Sequence, residues 1–194
     1  GFNPGADAPV HSLTIQPDGK ILVGGEFTTL GGQARSHVGR LHPDGTADSG
    51  FGPAANQTVL SLAVQADGKI LVGGAFTMLG GQPRDYIARL HPDGTLDAGF
   101  NPGAGSQVQC LAPQASGRIV VAGTFTTFGG QPRQYLARVN EDGTLDAGFN
   151  PGAGSQVYCL AVQADGKILV GGSFVTLAGQ PRNCIGRLNA DGTV

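Results

Sequence analysis

The residues with chemistry to offer recur at fixed spacing. Arg40, Arg89, Arg138 and Arg187 stand 49 residues apart, and Asp48, Asp97 and Asp146 each follow eight residues behind one of them. Such a set has two readings. It is either a ring of charged ligand-binding groups or an Arg–Asp pair inside each unit that satisfies two otherwise costly charges. Repetition favours the pair, because one ligand rarely needs four equal sites whereas every unit needs its own staple. A second set, Arg35, Arg84, Arg133 and Arg182, falls in a loop and is a candidate for ligand binding, with structural hydrogen bonds as its other role. Gln16, Gln65, Gln114 and Gln163 sit where strands meet loops and are expected to bond backbone groups.

Catalytic and metal chemistry find little support. There is no G-x-S-x-G elbow, no phosphate-binding loop and no Ser/His/Asp set that stands apart from the repetition. The Asp-Gly pairs (Asp18, Asp67, Asp165; Asp44, Asp93, Asp142, Asp191) bring one acid each, whereas a calcium loop needs several oxygen ligands at alternating positions. His11, His37, His42 and His91 lack metal-ligand spacing, and Asn140 and Asn189 replace the last two in later copies. No catalytic residue, metal or cofactor is expected.

The elements that position these residues are four copies of one unit, 1–49, 50–98, 99–147 and 148–194. In the second copy, Gly50–Asn56 is a Gly/Pro-rich connection whose Phe51 recurs as Phe2, Phe100 and Phe149 and reads as a core plug. Val59–Gln65 is a strand apolar on both faces. Asp67-Gly68 is a hairpin turn, and Lys69–Phe76 returns as a second strand, where Gly73-Gly74 signals a bulge or a close backbone approach. Thr77–Asp85 is a longer loop, Tyr86–His91 a third strand, Asp93-Gly94 a second hairpin turn and Leu96–Phe100 a short fourth strand. Four antiparallel strands per unit, with no helical periodicity, predict an all-β β-propeller. A trefoil needs three units and β-helix coils are shorter. The expectation is a single domain of four four-stranded blades, closed as a four-bladed ring, or as half of an eight-bladed ring formed by two chains, or an arc of a longer array.

The motif L-x-V-Q-x-D-G-K-I-L-V-G-G-x-F at Leu62–Phe76, followed by R-L-x-x-D-G-T-L-D-x-x-F at Arg89–Phe100, resembles the delta-60 repeats of bacterial β-propeller-like proteins. The third copy departs most, at Pro113, Ser116, Arg118 and Ala122. The resemblance implies a secreted or surface-associated bacterial protein, hence an extracellular or cell-surface location. It brings no shared activity and no catalytic residue.

Bulk properties narrow the partners. Net charge is -2 and the 12 Lys and Arg are spread evenly, which argues against nucleic acid. No apolar run is long enough to cross a membrane. The chain does not begin with Met and carries no signal peptide, and it is read as a processed product, an excised segment or a design. Cys110 and Cys159 alternate with Ser12 and Ser61 at one repeat position, so they read as small space-fillers and, with Cys184, as free thiols.

Both hairpin turns are expected on one side of the blades and both long loops on the other. Loops carry binding, so the long-loop side is the expected functional face. Two variable columns open there: His11, Leu60, Gln109, Tyr158 and His37, Tyr86, Tyr135, Cys184. The sequence thus predicts a non-enzymatic binding or structural scaffold whose partner is a protein or a glycan. The alternative is a lectin-like propeller using the tyrosines. A homodimer closing a larger ring is a further expectation.

Overall fold

Each blade is built on a bulged hairpin. The computed structural model describes residues 1–194. In every repeat an inner strand (Val10–Ile15, Val59–Val64, Val108–Pro113, Val157–Val162) pairs antiparallel with a middle strand (Ile21–Gly25, Ile70–Gly74, Ile119–Gly123, Ile168–Gly172). In all four the register slips at one place, so that Val59 opposes Gly74 and Ser61 opposes Gly73, leaving Leu60 as the extra residue. The glycines make this possible, since a Cβ on Gly74 would collide with the Thr58 carbonyl oxygen. The sequence placed this irregularity at the glycines; the additional residue lies on the strand opposite.

The two strands are joined by the expected Asp-Gly turn. Gly68 takes φ +81°, and Asp67 Oδ1 accepts the Lys69 N–H at 3.1 Å. An outer strand (Val38–Leu41, Ile87–Leu90, Leu136–Val139, Ile185–Leu188) pairs with the other edge of the middle strand. The second Asp-Gly turn follows on the same side, where the Gly68 site lies against Pro92.

The expected fourth strand is reduced to a single bridge, Leu41 with Ala47, Leu90 with Leu96 and Val139 with Leu145. Asp97 explains why. Its N–H still reaches Arg89 O at 2.9 Å, but its side chain turns to Arg89 and to the Gly99 N–H, and the chain departs for the next blade. The blades are therefore three-stranded. Conversely, the segment expected as a plain loop forms a small hairpin, Met78–Leu79 with Gln82–Pro83 in the second repeat and its equivalents elsewhere.

Apolar cores form between blades rather than inside them. Leu71 and Ile87, on the front of the second blade, join Phe100, Val108, Leu111, Ile119 and Val121 of the third in one buried cluster. The first and second blades share a seam of the same kind, as do the third and fourth. Inner strands lie against one another from blade to blade. Ser12 Oγ accepts the Leu62 N–H at 2.9 Å and Ser61 Oγ the Leu111 N–H at 3.1 Å. Cys110 does the same for Leu160, so the Ser/Cys position is a bonding position and more than a space-filler. Burial pushes the Cys110 thiol above its ordinary pKa, and all three cysteines are free. The four blades do not close on themselves, and the front of the fourth and the back of the first are both open: Leu13 is 66% exposed where its counterpart Leu62 is 7%.

Candidate functional site

The Arg–Asp pairs are staples, and they reach further than one blade. Arg89 Nε donates to Asp97 Oδ2 at 2.9 Å, and its Nη1 donates to Glu141 O at 2.6 Å in the next blade. The guanidinium also lies 4.3 Å above the centre of the buried Phe100 ring. Arg40 repeats this with Asp48, Pro92 O and Phe51, and Arg138 with Asp146, Ala190 O and Phe149. Burial alone would raise the Asp97 pKa. The hydrogen bond and charge of Arg89 and the Gly99 N–H outweigh it and hold the carboxyl below the usual range. These groups are fully engaged by the scaffold.

The second arginine set is also absorbed. Arg84 is buried; its Nη1 donates to Pro83 O at 2.7 Å and its Nη2 to Ala98 O at 3.5 Å, tying down the connection into the third blade. Arg35 and Arg133 do likewise with Asp48 O and Ala147 O. Only Arg182, at the open end, is exposed, and it bonds just Pro181 O. The glutamines differ from expectation: Gln16 Oε1 accepts from Arg40 Nη1 at 3.3 Å, while the amide oxygens of Gln65, Gln114 and Gln163 are buried without a hydrogen-bonding partner.

The Asp-Gly turns spend their carboxylates locally. Asp93 Oδ1 accepts the N–H and the hydroxyl of Thr95 at 2.8 and 2.7 Å, and Asp44, Asp142 and Asp191 repeat the pattern. The Thr95 hydroxyl and N–H hold the Asp93 carboxyl below its ordinary pKa. No three His, Cys, Asp or Glu side chains gather at one point.

Of the two variable columns, one is structural and one is open. His37, Tyr86, Tyr135 and Cys184 all adopt left-handed backbone, with φ of 65°, 67°, 64° and 63°. Such a conformation is strained for a bulky residue and persists only where its surroundings demand it. Here the demand is visible: Tyr86 N–H donates to Phe76 O at 2.9 Å and Tyr86 O accepts from Gly74 at 3.0 Å. The Tyr86 and Tyr135 side chains are half-buried against the seam with the following blade. They are not the free aromatic platforms the sequence suggests, because the turn and the seam use them.

The other column is the bulge itself. Residues 11, 60, 109 and 158 are the additional residues of the inner strands, and the bulge takes them out of the buried alternation. Three of the four, all but Leu60, meet polar groups at the long-loop end. His11 Nε2 lies 2.8 Å from Glu26 Oε1, Gln109 Nε2 donates to Gln107 Oε1 at 3.2 Å, and Tyr158 OH contacts Gln156 Oε1 and Ser173 Oγ at 3.2 and 3.4 Å. Because inner strands adjoin, these side chains form one variable rim along the inner edge of the blades. Glu26, Gln107, Gln156 and Ser173 were missed from sequence. The signal was there: position 26 of the repeat varies as Glu26, Ala75, Thr124, Ser173, but only the bulge shows that it neighbours position 11.

One member of the long-loop face carries a pH prediction. Asp7 accepts the Thr28 hydroxyl at 2.6 Å and the N–H groups of Thr28 and Thr29 at 2.8 and 2.9 Å, which lowers its pKa to about 2. A depressed folded pKa contributes stability that is present above the unfolded value near 3.8 and is lost as pH falls through about 2. In the second repeat Asn56 makes the same two backbone bonds, to Thr77 and Met78, at 3.0 Å. Asp7→Asn should therefore keep this hairpin and remove its acid titration. NMR of the Thr28 and Thr29 amides between pH 1.5 and 5 would read this, and an unchanged titration would contradict it.

Comparison with known proteins agrees with this architecture. A family profile described as a domain of unknown function (DUF5122) beta-propeller matches residues 16–51, 65–100, 114–149 and 163–194. No curated protein matches the chain. Among solved structures it is similar to virginiamycin B lyase from Staphylococcus aureus (TM-score 0.62, 18% identity, 98% of this chain and 55% of that one). It is also similar to the WD40 beta propeller domain of Doa1 (0.61, 19%, 84% and 48%) and to the computationally designed Ika8 protein (0.59, 16%, 97% and 58%). The chain spans about half the length of these structures. At such identities the likeness shows the fold alone: an all-β, propeller-like array of four antiparallel repeats.

Proposed function

Since the chain belongs to the DUF5122 β-propeller family, we propose that it is a non-enzymatic binding module of a secreted or surface-associated bacterial protein, with the bulge rim as its binding surface. One observation carries this reading. The Arg89-type and Arg84-type side chains of the first three blades are engaged by staples and connections, whereas the variable residues that remain open, His11, Gln109 and Tyr158, gather on one rim. A scaffold held by its constant residues is free to vary the others for a ligand. The secreted setting is supported by the delta-60 resemblance.

A glycan is the ligand class favoured by the fourth blade. Tyr158 is exposed and keeps Gln156 and Ser173 within reach of its hydroxyl, a combination of an apolar ring and neutral hydrogen-bonding groups that suits a sugar face. The His11–Glu26 contact is the one rim feature with acid–base character, and in a binding module it is a polar contact for the ligand. Glycan and peptide arrays probed with the chain test the reading. Binding is expected to fall at least about tenfold in Tyr158→Ala, which corresponds to one lost stacking contact of ~1.4 kcal/mol, with thermal stability unchanged. Binding only to peptides would replace the glycan, and binding indifferent to Tyr158 and Gln109 would move the site off the rim. Turnover of any ligand that is abolished by His11→Ala would overturn the non-enzymatic assignment.

A further inference from the structure

The two ends of the array are matching halves of a seam. The back of the first blade exposes Phe2 (57%), Leu13 (66%) and Ile15 (71%), while Phe100 and Leu111, at the first two of these positions in the third blade, are 0% and 6% exposed. The front of the fourth blade exposes Ile185 (68%), whose counterpart Ile87 is fully buried. Leu169 and Ala161 stand beside Ile185 where Leu71 and Ala63 stand beside Ile87. Ala161, Leu169 and Ile185 are thus the same residue types as Ala63, Leu71 and Ile87, which already pack on the back of a blade. Exposed apolar surface of this extent is unusual unless something covers it.

The polar groups of the seam are also left without their partners. Cys110 receives the Leu160 N–H from the next inner strand, but Cys159, its equivalent in the last blade, is exposed and turned toward Gly171. Arg187 is exposed and donates to no carbonyl of a following blade, whereas Arg40, Arg89 and Arg138 reach the carbonyls of Pro92, Glu141 and Ala190. Phe2 lies on Gly45 as Phe51 lies on Gly94, yet no guanidinium covers its ring, as Arg40 covers that of Phe51.

We propose that this chain pairs head-to-tail with a second copy, the front of blade four of each packing on the back of blade one of the other, to close an eight-bladed ring. The occupant is a second copy because the two faces complement each other within one chain and continue an interface the molecule already builds three times. The size is compatible with this: the matched part of the chain spans 48 to 58% of the length of the solved propellers it resembles. A heterologous contact made twice about a two-fold axis closes without leaving a free edge. By the repeat spacing, Arg187 then donates to the partner's Pro43 carbonyl and covers the partner's Phe2, and Cys159 Sγ receives the partner's Leu13 N–H.

Sedimentation of the chain at tens of micromolar tests this. The expected result is a single species of twice the 19.6 kDa chain mass. Ile15→Glu and Ile185→Glu each place a charge in the proposed seam without touching the seams inside the chain. Each should remain folded by circular dichroism and raise the dimer dissociation constant about 100-fold or more. An equimolar mixture of the two variants should recover a 1:1 complex, because one of its seams joins two unaltered faces. A monomeric wild type would overturn the proposal and assign the faces to another segment or partner. A dimer untouched by both substitutions, one broken by only one of them, or a polydisperse series of larger species would overturn it equally, as a different surface, an isologous contact or an open array.

Discussion

Replacing Arg89 by alanine should destabilise the protein by about 3 kcal/mol, the lower end of what breaking a buried ion pair costs. The substitution removes three contacts together: the Asp97 carboxylate, the Glu141 carbonyl across the seam and the face of Phe100. Asp97 is then left in a setting that burial alone would make unfavourable for its charge. Chemical denaturation followed by circular dichroism reads the effect. Since each blade touches only its neighbours, losing the seam between blades two and three should also broaden the transition, as the two halves unfold with less cooperation. Lys69→Ala in the same blade is the contrast. Lys69 bonds Asp67 at 3.1 Å in a half-exposed setting, so its loss should stay below about 1 kcal/mol. Equal effects from the two substitutions would refute the staple. The sign with pH follows from Asp97. Its depressed folded pKa stabilises above the unfolded carboxylate value and ceases to do so as pH falls through the folded one. Arg89→Ala should accordingly flatten the acid side of the stability profile.

The second large effect is expected at a glycine pair. Gly74→Ala should lower stability by about 3 kcal/mol or more, at the upper end of overpacking. Its new methyl would meet the Thr58 carbonyl oxygen, which is backbone and is held in place by the Ala75 N–H at 2.9 Å. Gly73→Ala, one residue earlier, should cost no more than about 1.5 kcal/mol. There the methyl would come 2.7 Å from Val108 Cγ1, a side chain able to move, and the third repeat already carries Ala122 in that column, fully buried. Comparative thermal melts decide the matter, and the bulge account fails if the two substitutions prove equally mild.

Much of this architecture is written plainly in the repeat. The Asp-Gly turns follow from one dipeptide, and the Arg–Asp pairs from their constant spacing across a hairpin. Other features needed coordinates. Val59–Val64 is apolar on both faces, so alternation could not reveal that Leu60 is supernumerary. The fourth strand is lost because Asp97 turns to Arg89 and Gly99, a competition between side chain and ladder that residue type alone does not settle. The Arg–Phe contact joins two repeats and is invisible while each copy is read by itself. Tyr86 and Tyr135 show the limit best. Their variability pointed to an exposed surface, yet their left-handed backbone and half-buried rings make them part of the frame. The rim that remains open was half legible, in His11, Gln109 and Tyr158, and its other half depended on which side chains the bulge brings beside them.

The reach of each staple has a consequence for how such a chain can change in length. Arg40 depends on Asp48 in its own period, but also on Phe51 and Pro92, which belong to the next. Recombination that adds or removes whole 49-residue periods returns every guanidinium to an equivalent ring and carbonyl, wherever the crossover falls. Any other length strands one arginine. Growth is thus permitted only in integral steps, and genetic exchange between neighbouring copies can alter the circumference of the array without composing a single new contact.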